Sequence, residues 1–158
     1  MRELDGVLLP QLETRYGRPV KTLHTAYRVS NLATSLVFYT ALGYEHVGRV
    51  ETRNGGALTM LKFPDEETVT LELVHRPADG PVDVGTGFSH LPIQVDDLRS
   101  TIEALAQAGI KAGPVEMPGG PRGPQTSWLL DPDGYRLELV QWPPGHADGI
   151  TTADFAGE

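Results

Sequence analysis

The chain repeats itself once, with a shift of 66 residues and no gap. The tetrapeptide Leu-Glu-Leu-Val occurs at 71–74 and again at 137–140, and the same shift aligns His24 with His90. A chain of 158 residues built in this way is predicted to fold as two similar units. The repeat therefore restricts the possible architectures more strongly than any other feature.

Each half has the same order of local patterns. An apolar stretch is followed by a helical periodicity and then by extended segments, predicted at 44–51, 56–63 and 68–75, and at 110–116, 125–131 and 135–142. Candidate N-caps precede both helices and a glycine follows each, namely Ser30 or Asn31 with Gly43, and Asp96 or Asp97 with Gly109. These patterns predict an α+β fold of two tandem βαβββ modules. Neither module is large enough to be stable alone, so their sheets are expected to pair into a half-open barrel around a metal site.

The predicted modules occupy residues 21–76 and 88–142, joined by a linker at 77–87 that is rich in Pro, Gly and Asp. Residues 1–20 precede them as an N-terminal extension. Residues 143–158 are small and polar with no apolar face, which predicts a flexible C-terminal tail.

Composition excludes several classes of function. The 21 acidic residues exceed the 13 lysines and arginines, and the resulting net charge of −8 argues against nucleic acid or an anionic membrane as a partner. The absence of cysteine excludes disulfides and thiolate metal sites, and it fits a reducing, cytoplasmic location. No apolar run approaches the ~20 residues of a membrane span, and the N-terminus does not have the pattern of a signal peptide.

One histidine and one glutamate stand at equivalent positions in each half, His24 with Glu72 and His90 with Glu138. Strand alternation directs each glutamate to the face opposite its two leucine neighbours, where a carboxylate is costly unless it is solvated, paired or bound to a cation. A single histidine or glutamate in a strand is more often a solvated or core residue than a functional one. Four of them at equivalent positions of the two repeats indicate a site. Two imidazoles and two carboxylates suit a borderline divalent ion, and Zn²⁺, Ni²⁺, Co²⁺ and Fe²⁺ are all compatible.

Two further features have less specific patterns. Arg28 follows His24 by four residues and so shares its strand face, which makes it a candidate for holding an anionic substrate or, equally, for a surface ion pair. The Gly/Pro-rich segment 119–123 is either a mobile lid or a plain loop.

With these residues in place, the chain resembles glyoxalase I (lactoylglutathione lyase) of the vicinal oxygen chelate superfamily. The resemblance covers about 21–142 and is carried by His24–Val29, Phe38–Gly43, Leu71–Leu73, His90–Asp97 and Asp131–Leu139.

The resemblance implies a ligand set and a chemistry. His24, Glu72, His90 and Glu138 would hold one divalent metal ion in a homodimer, at an interface between modules. The short loops resemble the compact bacterial form that is often served by Ni²⁺ or Co²⁺ rather than Zn²⁺. Glu138 is then the first choice for the catalytic base, with Glu72 on the mirrored side.

The resemblance also suggests how the substrate is bound. Arg28 matches an arginine that the family uses on the glutathione carboxylate, and Arg122 lies near a basic position used on the glycyl end. Where the family often has Asn four residues after the first glutamate, this chain has Arg76. That departure leaves the choice of thiol open.

The predicted function is isomerisation of the hemithioacetal of methylglyoxal and glutathione, or another thiol, to the 2-hydroxyacyl thioester. The proton would move through an enediolate. Alternatives in the same superfamily are an acyl-CoA epimerase that uses the same four positions, and a dioxygenase or thiol transferase that needs only three protein ligands. A metal-free module that sequesters an antibiotic is an alternative of another class.

Overall fold

The computed structural model describes residues 2–4, 6–9, 17 and 19–156. Its main elements are β1 (Arg2–Leu4), β2 (Val7–Leu9), β3 (Thr25–Val29), α1 (Leu32–Leu42), β4 (Glu45–Glu51), β5 (Ala57–Lys62), β6 (Leu71–His75), β7 (Leu91–Gln94), α2 (Leu98–Gln107), β8 (Gln125–Leu130) and β9 (Arg136–Gln141). Short 3₁₀ helices lie at Arg53–Gly55, Pro77–Asp79 and Thr152–Phe155. In the described part of the chain, no helix is long and apolar enough to cross a membrane.

The two halves of the repeat form one sheet each. The first sheet has the order β3-β6-β5-β4 and the second has the order β7-β9-β8. In both, the first strand runs parallel to the last strand of its module, and the remaining pairs are antiparallel. The predicted α+β class is confirmed. The hairpin of β1 and β2 lies within the predicted N-terminal extension.

Both helices have caps at the predicted places. The side chain of Asn31 accepts a hydrogen bond from the Thr34 amide at 3.0 Å, and the side chain of Asp97 accepts one from the Ser100 amide at 2.8 Å. Gly43, which follows α1, adopts a φ of 113°, a backbone conformation that favours glycine because it has no Cβ.

Residues 110–116, predicted as a full strand, form only an isolated bridge between Glu116 and Thr126. The segment still runs alongside β8, since the amides of Gly113 and Glu116 donate to the carbonyls of Trp128 and Thr126, both at 2.8 Å. Pro114 lies between the two donors and has no N–H, so a continuous ladder cannot form there. The second sheet therefore has one strand fewer than the first.

The core is built on the alternation of β6 and β9. Leu71, Leu73, Leu137 and Leu139 have no exposed surface and join one hydrophobic cluster with residues of both helices. Burying each leucine contributes about 1.5–3 kcal/mol. The leucines therefore fix which face of each central strand points inward.

A buried hydrogen-bond network joins the two modules. The Tyr39 hydroxyl of α1 donates to Asp131 Oδ2 at 2.8 Å and accepts from the Tyr27 hydroxyl. The other carboxylate oxygen of Asp131 accepts from the amides of Asp133 and Tyr135, both at 2.9 Å. Burial raises the pKa of Asp131, although these hydrogen bonds oppose the rise. In the sequence, Asp131 was only the last residue of the predicted extended segment 125–131.

Residues 143–156 turn back onto the second module. Trp142 stacks on His146 with ring centroids 4.3 Å apart, and His146 Nε2 lies 2.8 Å from a carboxylate oxygen of Asp154. The side-chain amide of Gln94 donates to Asp148 at 2.7 Å. These contacts bring the segment beside β7.

Replacement of Tyr39 by phenylalanine should destabilise the fold by about 1–3 kcal/mol, because it leaves the buried Asp131 and Tyr27 groups without their partner. Urea unfolding measures the change. Tyr44→Phe is the matched control, since Tyr44 is also a buried tyrosine of the core but its hydroxyl makes no hydrogen bond within the described residues. Equal losses in the two variants would contradict the role given to the network.

Candidate metal centre and substrate face

Glu72 lies in the middle of a central strand. Its neighbours across the sheet are Ala26 on β3 and Met60 on β5. The flanking Leu71 and Leu73 point into the core, so the carboxylate points to the other face, as strand alternation predicts. Its side chain is 13% exposed. A carboxylate this far withdrawn from water needs a partner.

His24 provides that partner. It stands immediately before β3, the parallel neighbour of β6, and its Nε2 atom lies 2.8 Å from Oε2 of Glu72. The imidazole is 25% exposed. The pair is thus held at the sheet surface with one side open.

The second module repeats this arrangement. Glu138 of β9 lies between Pro92 of β7 and Trp128 of β8, and its Oε2 is 3.3 Å from Nε2 of His90. The His90 ring meets the Trp128 ring edge-on with centroids 5.1 Å apart. The guanidinium of Arg136 lies 4.3 Å from the centroid of Trp128. The second pair therefore has an aromatic wall.

Within one chain the two pairs stay apart. No three side chains of His, Cys, Asp or Glu come close enough to hold a metal among the residues that the structure describes. The structure brings His24 to Glu72 and His90 to Glu138, but it does not join the four.

The donor chemistry of the pairs fits a divalent ion. Each pair offers one imidazole nitrogen and one carboxylate, already facing each other and shielded from most of the solvent. Two such pairs would supply a mixed nitrogen and oxygen set, which suits Zn²⁺, Ni²⁺ or Co²⁺. One pair alone supplies half of that set.

Arg28 lies on the same face as Glu72, one row along, opposite Val74. Its Nη2 donates to the carbonyl of Gly80 at 2.6 Å. Its Nε is buried and has no hydrogen-bond partner in the described residues. A guanidinium whose Nε–H has no partner can donate that hydrogen bond to a carboxylate of a ligand.

Arg122 stands elsewhere. It is exposed in the loop between α2 and β8 and makes no ion pair or side-chain hydrogen bond within residues 19–156. Within the described residues, Arg122 therefore contacts neither of the two histidine–glutamate pairs.

A cavity of about 370 Å³ continues the Glu72 face beyond Arg28. It lies between the β4–β5 hairpin and the turn after β6, and Arg53, Arg76 and Asp79 are among its charged lining residues. No sequence pattern marks Arg53 as a site residue. Its only signal was its position in a tight turn at the end of a hairpin.

Trp128 and Met60 are half-buried and lie directly opposite the two glutamates. Counting alternation from Glu138 across the turn would have identified Trp128. Phe38 of α1 is buried in the core.

The comparisons with known proteins point to one superfamily. A model described as Glyoxalase/Bleomycin resistance protein/Dioxygenase superfamily matches residues 21–139. A probable lactoylglutathione lyase of Vibrio parahaemolyticus is 35% identical over 128 residues, covering 77% of this chain and 90% of that protein. A lactoylglutathione lyase of Neisseria meningitidis serogroup A is 33% identical over 132 residues, covering 80% and 94%.

A solved structure of a glyoxalase I supports the same assignment. A mutant of glyoxalase I from Zea mays superposes with a TM-score of 0.67 at 27% identity, over 75% of this chain and 44% of that one. The resemblance inferred from the sequence is confirmed by these matches.

Trp128 should report metal binding at the second pair. The chain has two tryptophans, so Trp142→Phe isolates the emission of Trp128, and Trp128→Phe isolates that of Trp142. We expect added Ni²⁺ or Co²⁺ to quench the emission of Trp142→Phe strongly, because the Trp128 ring contacts His90. The emission of Trp128→Phe should change less. Equal quenching in both variants would contradict binding at His90.

Proposed function

The chain belongs to the Glyoxalase/Bleomycin resistance protein/Dioxygenase superfamily, and from that premise we propose that it is a metal-dependent lyase of the glyoxalase I kind. Its substrate is the hemithioacetal of methylglyoxal and a thiol, and its product is the 2-hydroxyacyl thioester. The observation that carries this proposal is the pair of histidine–glutamate contacts at equivalent positions of the two modules.

The four donors come together between two copies of the chain. The faces that carry Glu72 and Glu138 also present apolar side chains to solvent, with Val50 at 55% and Leu130 at 63% exposure. Packing the first face of one copy on the second face of another would cover them. A closed twofold dimer does this twice, so that each of two equal sites receives one pair from either copy.

His24, Glu72, His90 and Glu138 hold the ion, and Ni²⁺ or Co²⁺ is favoured over Zn²⁺. The bound cation supplies Lewis-acid stabilisation of negative charge on the substrate oxygens, a contribution of several kcal/mol. The remaining chemistry is the transfer of one proton between adjacent carbons.

Glu138 performs that transfer. Its carboxylate removes the proton from the carbon that bears the sulphur and the hydroxyl, and the electron pair left behind forms the double bond of an enediolate. The same carboxyl group returns the proton to the neighbouring carbon, while the hydroxyl proton passes to the second oxygen. General base catalysis of this kind contributes about 10²–10⁴-fold. Glu72 faces the substrate from the opposite side.

Arg28 binds the anionic end of the thiol. Its buried Nε has no partner in the described part of the chain, and a carboxylate would satisfy it. Arg53 and Arg76 also line the cavity beyond it, where Asp79 pairs with Arg76 at 4.0 Å and leaves Arg53 as the uncompensated cation of the lining. Arg122 is a second candidate for the thiol, from its exposed loop. The absence of cysteine fits work in the reducing cytoplasm.

The other functions open to this superfamily fit less well. A dioxygenase or thiol transferase needs three protein ligands, and a sequestering module needs none, whereas this chain keeps two complete pairs. An epimerase of an acyl thioester would use the same four residues. Such an epimerase would differ from the proposed lyase only in the substrate that it binds.

Glu138→Gln should retain the metal and lower turnover by about 10²–10⁴-fold, because the amide can coordinate but cannot accept the proton. Thioester absorbance with methylglyoxal and glutathione, on apoprotein refilled with each ion, measures turnover. Other low-molecular-weight thiols are tried in parallel. Glu103→Gln on the exposed face of α2 is the control and should keep full activity. Full activity of Glu138→Gln would reject the assignment of the base.

Mixing two inactive variants should restore activity if the sites form between copies. One variant carries His24→Ala and Glu72→Gln, and the other carries His90→Ala and Glu138→Gln. In a mixed dimer one site receives all four substitutions and the other receives none. After exchange of subunits, about one quarter of the sites should be intact. A mixture that remains inactive would show that the donors do not come from two copies.

A further inference from the structure

A cavity of about 710 Å³ lies between the turn that follows β5 and strand β7. Four carboxylates line it, Asp65 and Glu66 from the first module, Asp96 from the second, and Asp148 from the segment after it. No lysine, arginine or histidine is among the described residues of its lining. The cavity therefore concentrates negative charge where the two modules meet.

The repeat gives the second module a cavity at the equivalent place, of about 670 Å³, with different chemistry. A shift of 66 residues carries six lining residues of the first cavity onto the second, among them Tyr44 onto Ile110, Glu66 onto Pro132 and Thr70 onto Arg136. Lys111 and Arg136 line the second cavity. Its carboxylate, Asp131, already accepts three hydrogen bonds from side chains and amides of the fold. The acidic lining thus belongs to one cavity and not to the shared architecture.

The four carboxylates keep oxygen atoms available for a ligand. Asp65 and Asp96 are exposed and make no side-chain hydrogen bond or ion pair within residues 19–156. Oε2 of Glu66 and Oδ1 of Asp148 accept hydrogen bonds within the fold, whereas their other oxygens accept none from the described residues. Lys62, just before the turn, donates its Nζ protons to backbone carbonyls at 3.3 and 2.7 Å rather than to these carboxylates. A cation from outside can therefore pair with each of them.

Tyr44 provides an independent indication of a ligand. It is only 5% exposed, it lines the cavity, and its hydroxyl makes no hydrogen bond within the described part of the chain. Burial, and after it the charge of Glu66, raises the pKa of this hydroxyl, which places the hydroxyl toward the acidic lining. The Tyr44 ring stacks on Phe63 with centroids 3.9 Å apart. A buried hydroxyl without a partner is costly, and a hydrogen-bond donor in the cavity would satisfy it.

The negative charges are spread out rather than focused on one point. Among the residues that the structure describes, no three side chains of His, Cys, Asp or Glu lie close enough to hold a metal ion. Leu91, Pro92 and Ile93 form an apolar part of the lining. The volume is in the range of sites for small molecules. The matching ligand is an organic cation whose positive charges are separated by hydrocarbon.

We propose that this cavity binds a linear polyamine, whose ammonium groups pair with the four carboxylates and whose methylene groups pack on the aromatic and apolar lining. The Tyr44 hydroxyl accepts a hydrogen bond from one of the ammonium groups. Because the carboxylates come from both sides of the cavity, the bound amine links the modules and stabilises the folded chain. The site uses none of the four histidine and glutamate donors, so it does not depend on the proposed function.

Calorimetric titration of spermidine into the full-length, metal-free protein at low salt tests this proposal. We expect one saturable site per chain and a higher melting temperature with spermidine present. Asp65→Asn with Asp96→Asn should weaken binding about tenfold or more, because two charge-assisted contacts are lost. Tyr44→Phe should weaken it about two- to tenfold through the loss of one hydrogen bond. The matched control, Glu103→Gln with Glu116→Gln, removes two exposed charges outside the cavity and should leave the affinity unchanged.

Three results would overturn the proposal. Spermidine that does not bind would do so, and so would equal weakening in the two double variants, which indicates general attraction to an acidic chain. Displacement of spermidine by an equal concentration of Mg²⁺ would show that the site selects charge alone. All four substituted carboxylates are exposed, and melting curves without spermidine establish that the variants are folded. Since neither metal nor thiol is present, failure of the proposed lyase activity would leave these results unaffected.

Discussion

The geometry of the candidate centre depends on the packing of two central strands. β6 lies between β3 and β5, and β9 lies between β7 and β8, so each is hydrogen-bonded on both edges. Their leucines have no exposed surface, and each glutamate stands between two of them. A slip of one residue would bring the carboxylate into the core and expose the leucines, at a cost of several kcal/mol. The hydrophobic core therefore holds the donor groups in place.

Most of the fold and the contacts within each candidate pair could be predicted because they depend on local signals. Alternation along Leu71–Val74 predicted the face of Glu72, and the repeat carried that result to Glu138. The helix starts at Asn31 and Asp97 follow from side chains that cap the backbone three residues ahead.

What could not be predicted depends on contacts between distant residues. Tyr39 and Asp131 are 92 residues apart, and no periodicity links a helical tyrosine to an aspartate in a turn. Gln94 and Asp148 are 54 residues apart, in a segment whose composition suggested a flexible tail. At 110–116 the extended pattern was present, but one proline interrupted the pairing. The four donors do not meet within the described part of one chain, and the residue spacing alone did not indicate that separation.

The hydrogen bond between Tyr39 and Asp131 has a consequence for the history of the duplication. Its counterpart under the repeat would join Leu105 to Asp65, where one residue has no polar group and the other lies exposed at the surface. The hydrogen bond between Tyr39 and Asp131 therefore has no counterpart at the repeat-related positions. Two copies of either half could not reproduce it, so the halves have diverged into complementary partners that are no longer interchangeable. An ancestor assembled from identical single modules would have needed a different contact at this place.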